Sequence, residues 1–225
     1  RGVSGEGTRE PGGTPGAEAI RQLLLHPPDD QGWGTPAEAL LFAAARSDHV
    51  NQRIKPALAK GVWVVCDRFV DSSRAYQGGA GGVGDDAIVA LHAFGSAGLR
   101  PDLTILIAVS EEKAASRLLA RDGADNDAIG GRSAEYHAEV AAAFRALADA
   151  DPASFVIVDG DGSTKEVHDA ILEALETRLG NLPGCPSGPN PLAIGGSATR
   201  QRTARECITH GSLLARPALA NATLL

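Results

Sequence analysis

Apolar residues recur at helical spacing from Pro15 to Leu25, and Pro27-Pro28 ends that run. Thr35-Pro36-Ala37-Glu38 reads as a helix start, with Thr35 as cap, Pro36 in the first turn and Glu38 closing a capping box. The helix it opens extends towards Lys60 and stops at Gly61; Pro56 either kinks it or begins a separate helix. Val62-Trp63-Val64-Val65-Cys66 is short, wholly apolar and rich in β-branched residues, the signature of a buried strand in a parallel sheet. Gly78 to Gly84 is a glycine-rich loop, and Asp85 to Ser96 a helix. Leu103 to Val109 repeats the buried-strand pattern. Ser110 then caps a helix with Glu111 and Glu112 in its positive first turn. Gly123 to Gly131 is a polar loop. Ser133 caps a long Ala-rich helix that stops near Asp151-Pro152, and Phe155 to Val158 is a third strand. Ser163-Thr164-Lys165-Glu166 is a further capping box, opening a helix to Leu179. Residues 1 to 14 show no periodicity and read as glycine-rich loop.

Strands alternating with helices predict a parallel α/β sheet with right-handed crossovers over residues 1–180. From Asn181 onwards Pro, Gly, Ser, Thr and Ala dominate, so residues 181–225 are expected to form a tail without regular elements. Hydrophobic residues make up 43% of the chain but aromatic ones only 4%, so the core must rest on aliphatic side chains. A net charge of -7 gives no counterion-release drive towards a nucleic acid polymer, while a few arginines in a cleft suffice for a small phosphorylated ligand. Cys66, Cys185 and Cys207 are far apart and odd in number, which reads as reduced thiols of a cytoplasmic protein; the six histidines show no zinc spacing. No apolar run approaches a membrane span, and no signal peptide is expected. The sequence contains no Met and opens on Arg1 to Gly7 without pattern, which reads as a fragment or a faulty gene model.

In an open α/β sheet, ligands bind beyond the carboxyl ends of the strands, where Asp67-Arg68 stands. A carboxylate there can hold Mg²⁺ through water and an arginine can clamp a phosphate; the alternative is a structural ion pair. Phe42, Arg46, His49 and Arg53 share one helix face, so Phe42 can stack a flat base while Arg46 donates to its carbonyl, unless they are simply a half-buried ring beside solvated arginines. Residues 67–82, DRFVDSSRAYQGGAGG, gather hydroxyls (Ser72, Ser73, Tyr76), an amide (Gln77) and glycines in one segment, which suits a small polar ligand or a plain surface loop.

Several segments resemble one family in order and spacing. Thr8 to Thr14, TREPGGT, is similar to a segment of bacterial thymidylate kinases. Leu41 to Arg46 resembles their thymine-contact helix. Ile54-Lys55-Pro56-Ala57-Leu58, Asp67-Arg68-Phe69 and Ala75-Tyr76-Gln77-Gly78 resemble their central signature, and Arg100 to Thr104 their approach to the next strand. The resemblance implies a P-loop-kinase-like sheet with helices on both faces. It implies transfer of a phosphoryl group from ATP to dTMP with Mg²⁺, in a cytoplasmic homodimer. Carried over residue by residue, Phe42 stacks on thymine, Arg46 bonds its O4 edge, and Arg68 binds the 5′-phosphate. Ser73 and Gln77 read the rest of the pyrimidine edge, Tyr76 packs on the deoxyribose, and Asp67 holds Mg²⁺ or its waters. Arg9 and Glu10 line the acceptor pocket. Arg117, Arg121 and Arg132 are the lid arginines, of which Arg121 and Arg132 stand with Asp67 and Arg68 as the candidate catalytic set.

Two departures qualify this. The family often has Asp-Arg in the lid where this chain has Asp125-Asn126. The family also opens with a strand, a phosphate-binding GxxxxGKS/T loop and a helix, none of which occurs in these 225 residues. Loss of that central strand is expected to leave the Val62 and Leu103 strands with open edges or paired to each other. The competing functions are a non-catalytic nucleotide-binding remnant and a kinase for another nucleoside monophosphate.

Overall fold

A computed structural model describes residues 5–29, 32–110, 112–113, 131–180 and 220–224. In chain order, the elements among these are β1 (Gly5–Arg9), α1 (Pro15–Leu25), α2 (Thr35–His49), a π-helical turn (Val50–Ile54), α3 (Lys55–Ala59) and β2 (Trp63–Asp67). There follow α4 (Val70–Ser73), a second π-helical stretch (Arg74–Ala80), α5 (Asp85–Ser96), β3 (Leu103–Ala108), α6 (Ala134–Ala150), β4 (Phe155–Asp159), α7 (Thr164–Leu179) and β5 (Ala220–Leu224).

Side-chain alternation along the strands decides which face each helix covers. On β2, Val64 and Cys66 pack with Val50, Ile54, Ala57, Phe69 and Val70. Trp63 of the same strand joins Leu103, Ile105 and Ile107 of β3 with Ile171 and Leu175 of α7 on the other face. Leu106 turns back to Val140, Phe144 and Ala148 of α6, with Phe155 and Tyr76. Helices therefore cover both faces, as the near-continuous apolar runs of β2 and β3 require.

The sheet runs β1-β2-β5-β3-β4. The pairs β1–β2 and β3–β4 are parallel, whereas β5 is antiparallel to both of its neighbours, β2 and β3. This corrects three expectations. Gly5–Arg9, read as loop, is an edge strand; its glycines hide it from any periodicity rule, yet a strand needs only paired backbone groups. The sheet is mixed rather than parallel. The edges of β2 and β3 neither stand open nor pair with each other, because Ala220–Leu224 lies between them. Residues 220–224 thus depart from the expected tail, while 181–219 lie outside the described residues.

Helix termini follow the reading at most ends. Ser133 accepts from the Tyr136 amide, and Ser163 with Glu166 forms the full capping box. The Thr35 start differs: Gly34 is the cap, no side chain caps the helix, and Glu38 is buried instead of closing a box. Pro56 stands in the first turn of a separate helix, α3, the second of its two predicted roles. The π-helical turn Val50–Ile54 widens the ladder ahead of it and carries α2 into α3 without a break. Residues 70–80, read as loop, are helical and largely buried, tertiary packing overriding the glycine content.

Candidate functional site

The backbone amide of Glu10 donates to the Asp67 carbonyl at 2.9 Å, bringing the end of β1 beside the carboxyl end of β2. The segment beyond is tied to α1 and α2. The Thr14 hydroxyl donates to Asp48 at 2.5 Å and Arg21 Nη1 to the Pro11 carbonyl at 3.0 Å. Arg53 donates to the carbonyls of Gly13 at 2.9 Å and Gly7 at 3.1 Å and pairs with Glu6. Arg9 points outward, pairing with Glu18 at 2.8 Å on an exposed surface.

Glu10 turns inward. Its Oε2 accepts from Arg46 Nε at 2.7 Å, and its Oε1 faces His49 Nδ1 at 3.0 Å. Arg46 Nη2 also donates to Ser73 Oγ at 2.8 Å and the Phe69 carbonyl at 3.4 Å, and its guanidinium stands 5.6 Å above the Phe69 ring. Arg46 and Ser73 are each 3% exposed. Helix α2 and the α4 turn thus bring together two residues proposed for the base edge. Phe42, one turn earlier on α2, is half-buried.

Arg68 follows β2 with φ 67, a left-handed conformation costly for a residue with a Cβ, and its guanidinium lies 5.1 Å above the Tyr76 ring. Tyr76 is 6% exposed and packs edge-on against Phe144. Asp67 is exposed at the strand's carboxyl end. Gln77, 1% exposed, donates through Nε2 to Glu38 Oε1 at 2.7 Å. The other oxygen of Glu38 receives Arg132, which also stacks on Tyr136 at 4.6 Å. Arg117 and Arg121 lie outside the described residues.

Three contributors were not singled out from sequence. Glu38 carries a helix-start signature that masks its inward orientation. Asp71 is 1% exposed and receives Arg74 Nη1 at 3.2 Å, Arg100 Nη2 at 3.1 Å and Thr104 Oγ1 at 3.2 Å, tying α4 to β3 and the segment before it. Cys66 donates its thiol to the Arg68 carbonyl at 3.0 Å, and burial pushes its pKa well above the ordinary thiol range. Nothing local in the sequence marks these, because each depends on a partner at least two elements away or on burial.

The fold is an α/β sheet with helices on both faces, and Arg46, Arg68, Ser73 and Tyr76 gather beyond the carboxyl end of β2, where open α/β sheets bind ligands. The family model for thymidylate kinase matches residues 4–171. A thymidylate kinase of Rhizorhabdus wittichii is 51% identical over 179 residues, covering 80% of this chain and 86% of the relative. Thymidylate kinases of Rhodopseudomonas palustris (strain CGA009) and Chromohalobacter salexigens are each 44% identical, over 76% and 80% of this chain and 75% and 84% of theirs. The chain belongs to the thymidylate kinase family, phosphotransferases of the P-loop kinase fold.

Proposed function

We propose that the cleft is the dTMP-acceptor half of an enzyme that converts dTMP and ATP to dTDP and ADP. Arg68 takes the 5′-phosphate bidentately. Phe42 carries the base, Arg46 and Ser73 face its O4 and N3 edge, and Tyr76 lies under the sugar. Gln77 lies beside them, its amide nitrogen held by Glu38. The observation that carries this is Arg46: buried, held by Glu10 and Ser73, and one turn from Phe42.

Phosphoryl transfer rests on positioning and neutralisation of charge. Asp67 presents a hard oxygen donor at the strand end, which suits Mg²⁺; the ion, when bound, supplies positive charge to the phosphates. Arg68 adds a fixed cation from the protein side. Arg132, engaged on Glu38 and Tyr136, anchors the end of the lid to the acceptor pocket, which leaves Arg117 or Arg121 to neutralise the migrating group. No GxxxxGKS/T loop occurs in these 225 residues, so by themselves they bind dTMP and do not turn over ATP. A coupled assay should show no dTMP-dependent ADP release from this chain, while calorimetry shows dTMP binding. Ordinary kinase turnover would refute the first statement, and absence of dTMP binding the second.

No helix among the described residues is long and apolar enough to cross a membrane, which fits a cytoplasmic enzyme. A homodimer is favoured by apolar surface on two helices that pack together: Phe94 on α5 is 93% exposed and Leu40 on α2 57%. Light scattering should give twice the chain mass, and Phe94→Glu should shift it to the monomer.

A further inference from the structure

We propose that Glu10 and His49 form a positioning pair that fixes the direction of Arg46 and thereby makes the pocket select pyrimidine nucleotides with a carbonyl, not an amino group, at position 4 of the base. This deepens the acceptor reading above and rests on it.

An arginine side chain has many rotamers, and one left free can swing away from an unfavourable partner. To reject an amino group, the guanidinium must be unable to move. Here its Nε is held by Glu10 and its Nη2 by Ser73 and the Phe69 carbonyl. The guanidinium is a rigid planar fork, so holding two of its nitrogens sets where the third one points. Nη1 forms no hydrogen bond among the described residues.

Glu10 would not hold Arg46 by itself, because a carboxylate on a two-carbon stem also rotates. His49, fully buried, closes that freedom by facing Glu10 Oε1 through Nδ1. A carboxylate only accepts, so Nδ1 carries the proton. Nε2 faces the Thr8 hydroxyl at 2.7 Å, within hydrogen-bond reach. The ring is boxed in by backbone as well: at Gly13, with φ 92, an added Cβ would lie 2.6 Å from His49 Nε2. The chain of contacts thus runs Thr8, His49, Glu10, Arg46, from the edge strand to the pocket. A buried ionic network of this kind adds little stability over apolar packing, but it does fix a direction.

Glu10, His49 and Cys66 also place ligand-type atoms within 4.8 Å of one another. A cation is the weaker reading of that cluster. Both carboxylate oxygens and both imidazole nitrogens are engaged, the thiol is bonded to the Arg68 carbonyl, and the Arg46 guanidinium stands 2.7 Å from Glu10.

The test is calorimetric binding of dTMP, dCMP and thymidine to the chain and to Glu10→Gln, His49→Ala, Arg46→Ala and the Glu10→Gln/Arg46→Ala pair. The unsubstituted chain should prefer dTMP over dCMP by about tenfold or more. Glu10→Gln and His49→Ala should each cut that to about threefold or less, while the dTMP-over-thymidine ratio, set by the phosphate, stays within about twofold. In the Arg46→Ala background, Glu10→Gln should remove no further discrimination. An unchanged dTMP-over-dCMP ratio in both single variants, or additive losses in the pair, overturns the proposal alone. Equal binding of dTMP and dCMP by the unsubstituted chain overturns the acceptor reading and the proposal with it. A measurement that needs no variant is the Arg46 Nε–H resonance. It should be protected from solvent exchange in the ligand-free chain, and rapid exchange overturns the positioning role.

Discussion

Arg68 holds a left-handed backbone at the end of β2, a cost of about 1–3 kcal/mol that the surrounding structure must impose. Its guanidinium lies over the Tyr76 ring, and on the proposed acceptor reading a phosphate is its partner. Arg68→Ala should therefore weaken dTMP by about 1.5–3 kcal/mol and thymidine by much less. Titration calorimetry with both ligands checks this; equal losses would make Arg68 a structural residue. Cys66 gives a second test at this scale. Its thiol is fully buried, donates to the Arg68 carbonyl and has a raised pKa, so it should resist alkylation at neutral pH until the chain is unfolded. Timed mass spectrometry with iodoacetamide, with and without denaturant, reads this directly. Residue types were legible in the sequence, and so was the pairing of Phe42 with Arg46 one turn apart. The partner of Arg46 was not, because Glu10 is 36 positions away and meets it only through the β1–β2 pairing.

At the scale of elements, α5 contains a pH-sensitive packing contact. His92 donates from Nε2 to the Leu99 carbonyl at 2.7 Å, and its ring meets Phe69 edge-on at 5.6 Å. Its Nδ1 is buried with no partner. Burial lowers its pKa below the ordinary value of 6.5; the Leu99 bond opposes this, and the positive charges of Arg46 and Arg100 add to it. The unfolded chain then binds a proton that the folded chain refuses. The contribution of His92 is complete above about pH 6.5 and is lost as pH falls through that value towards the depressed folded pKa. Denaturant midpoints measured from pH 8 to pH 5 should fall, and His92→Gln should flatten that part of the profile. At α7, Ser163→Ala removes the cap that the Glu166 amide uses and should cost about 1 kcal/mol in the same assay.

For the whole molecule, β5 is the element that completes the sheet. Ala220–Leu224 pairs with residues 65–67 of β2 on one side and with Leu103–Ile107 of β3 on the other. Removing it would expose two rows of backbone donors and acceptors in the middle of the fold. Deletion of residues 220–225 should lower the melting temperature and promote self-association, whereas a tail without structure would be lost silently. Thermal melting with light scattering distinguishes the two. If the shortened chain melts unchanged and stays dispersed, β5 contributes nothing to the sheet.

The sequence by itself determined the elements whose signals are local. The buried runs of β2 and β3, the strand β4, the Ser133 and Ser163 caps and the helices Pro15–Leu25 and Asp85–Ser96 all stand where periodicity and capping chemistry put them. Motif order pointed to the family, because TREPGGT, the Phe42–Arg46 helix and the residues from Asp67 to Gly78 keep their spacing whatever surrounds them. Only the tertiary structure decided what depends on distant partners. It made an edge strand of glycine-rich Gly5–Arg9 and turned Glu38 from a helix start into a buried acceptor for Gln77 and Arg132. It also set Ala220–Leu224 between β2 and β3. The reason is the same in each case: backbone pairing and buried charge are satisfied by whichever group the fold brings within 3 Å or so, and that distance is a property of the packed chain, not of any stretch along it.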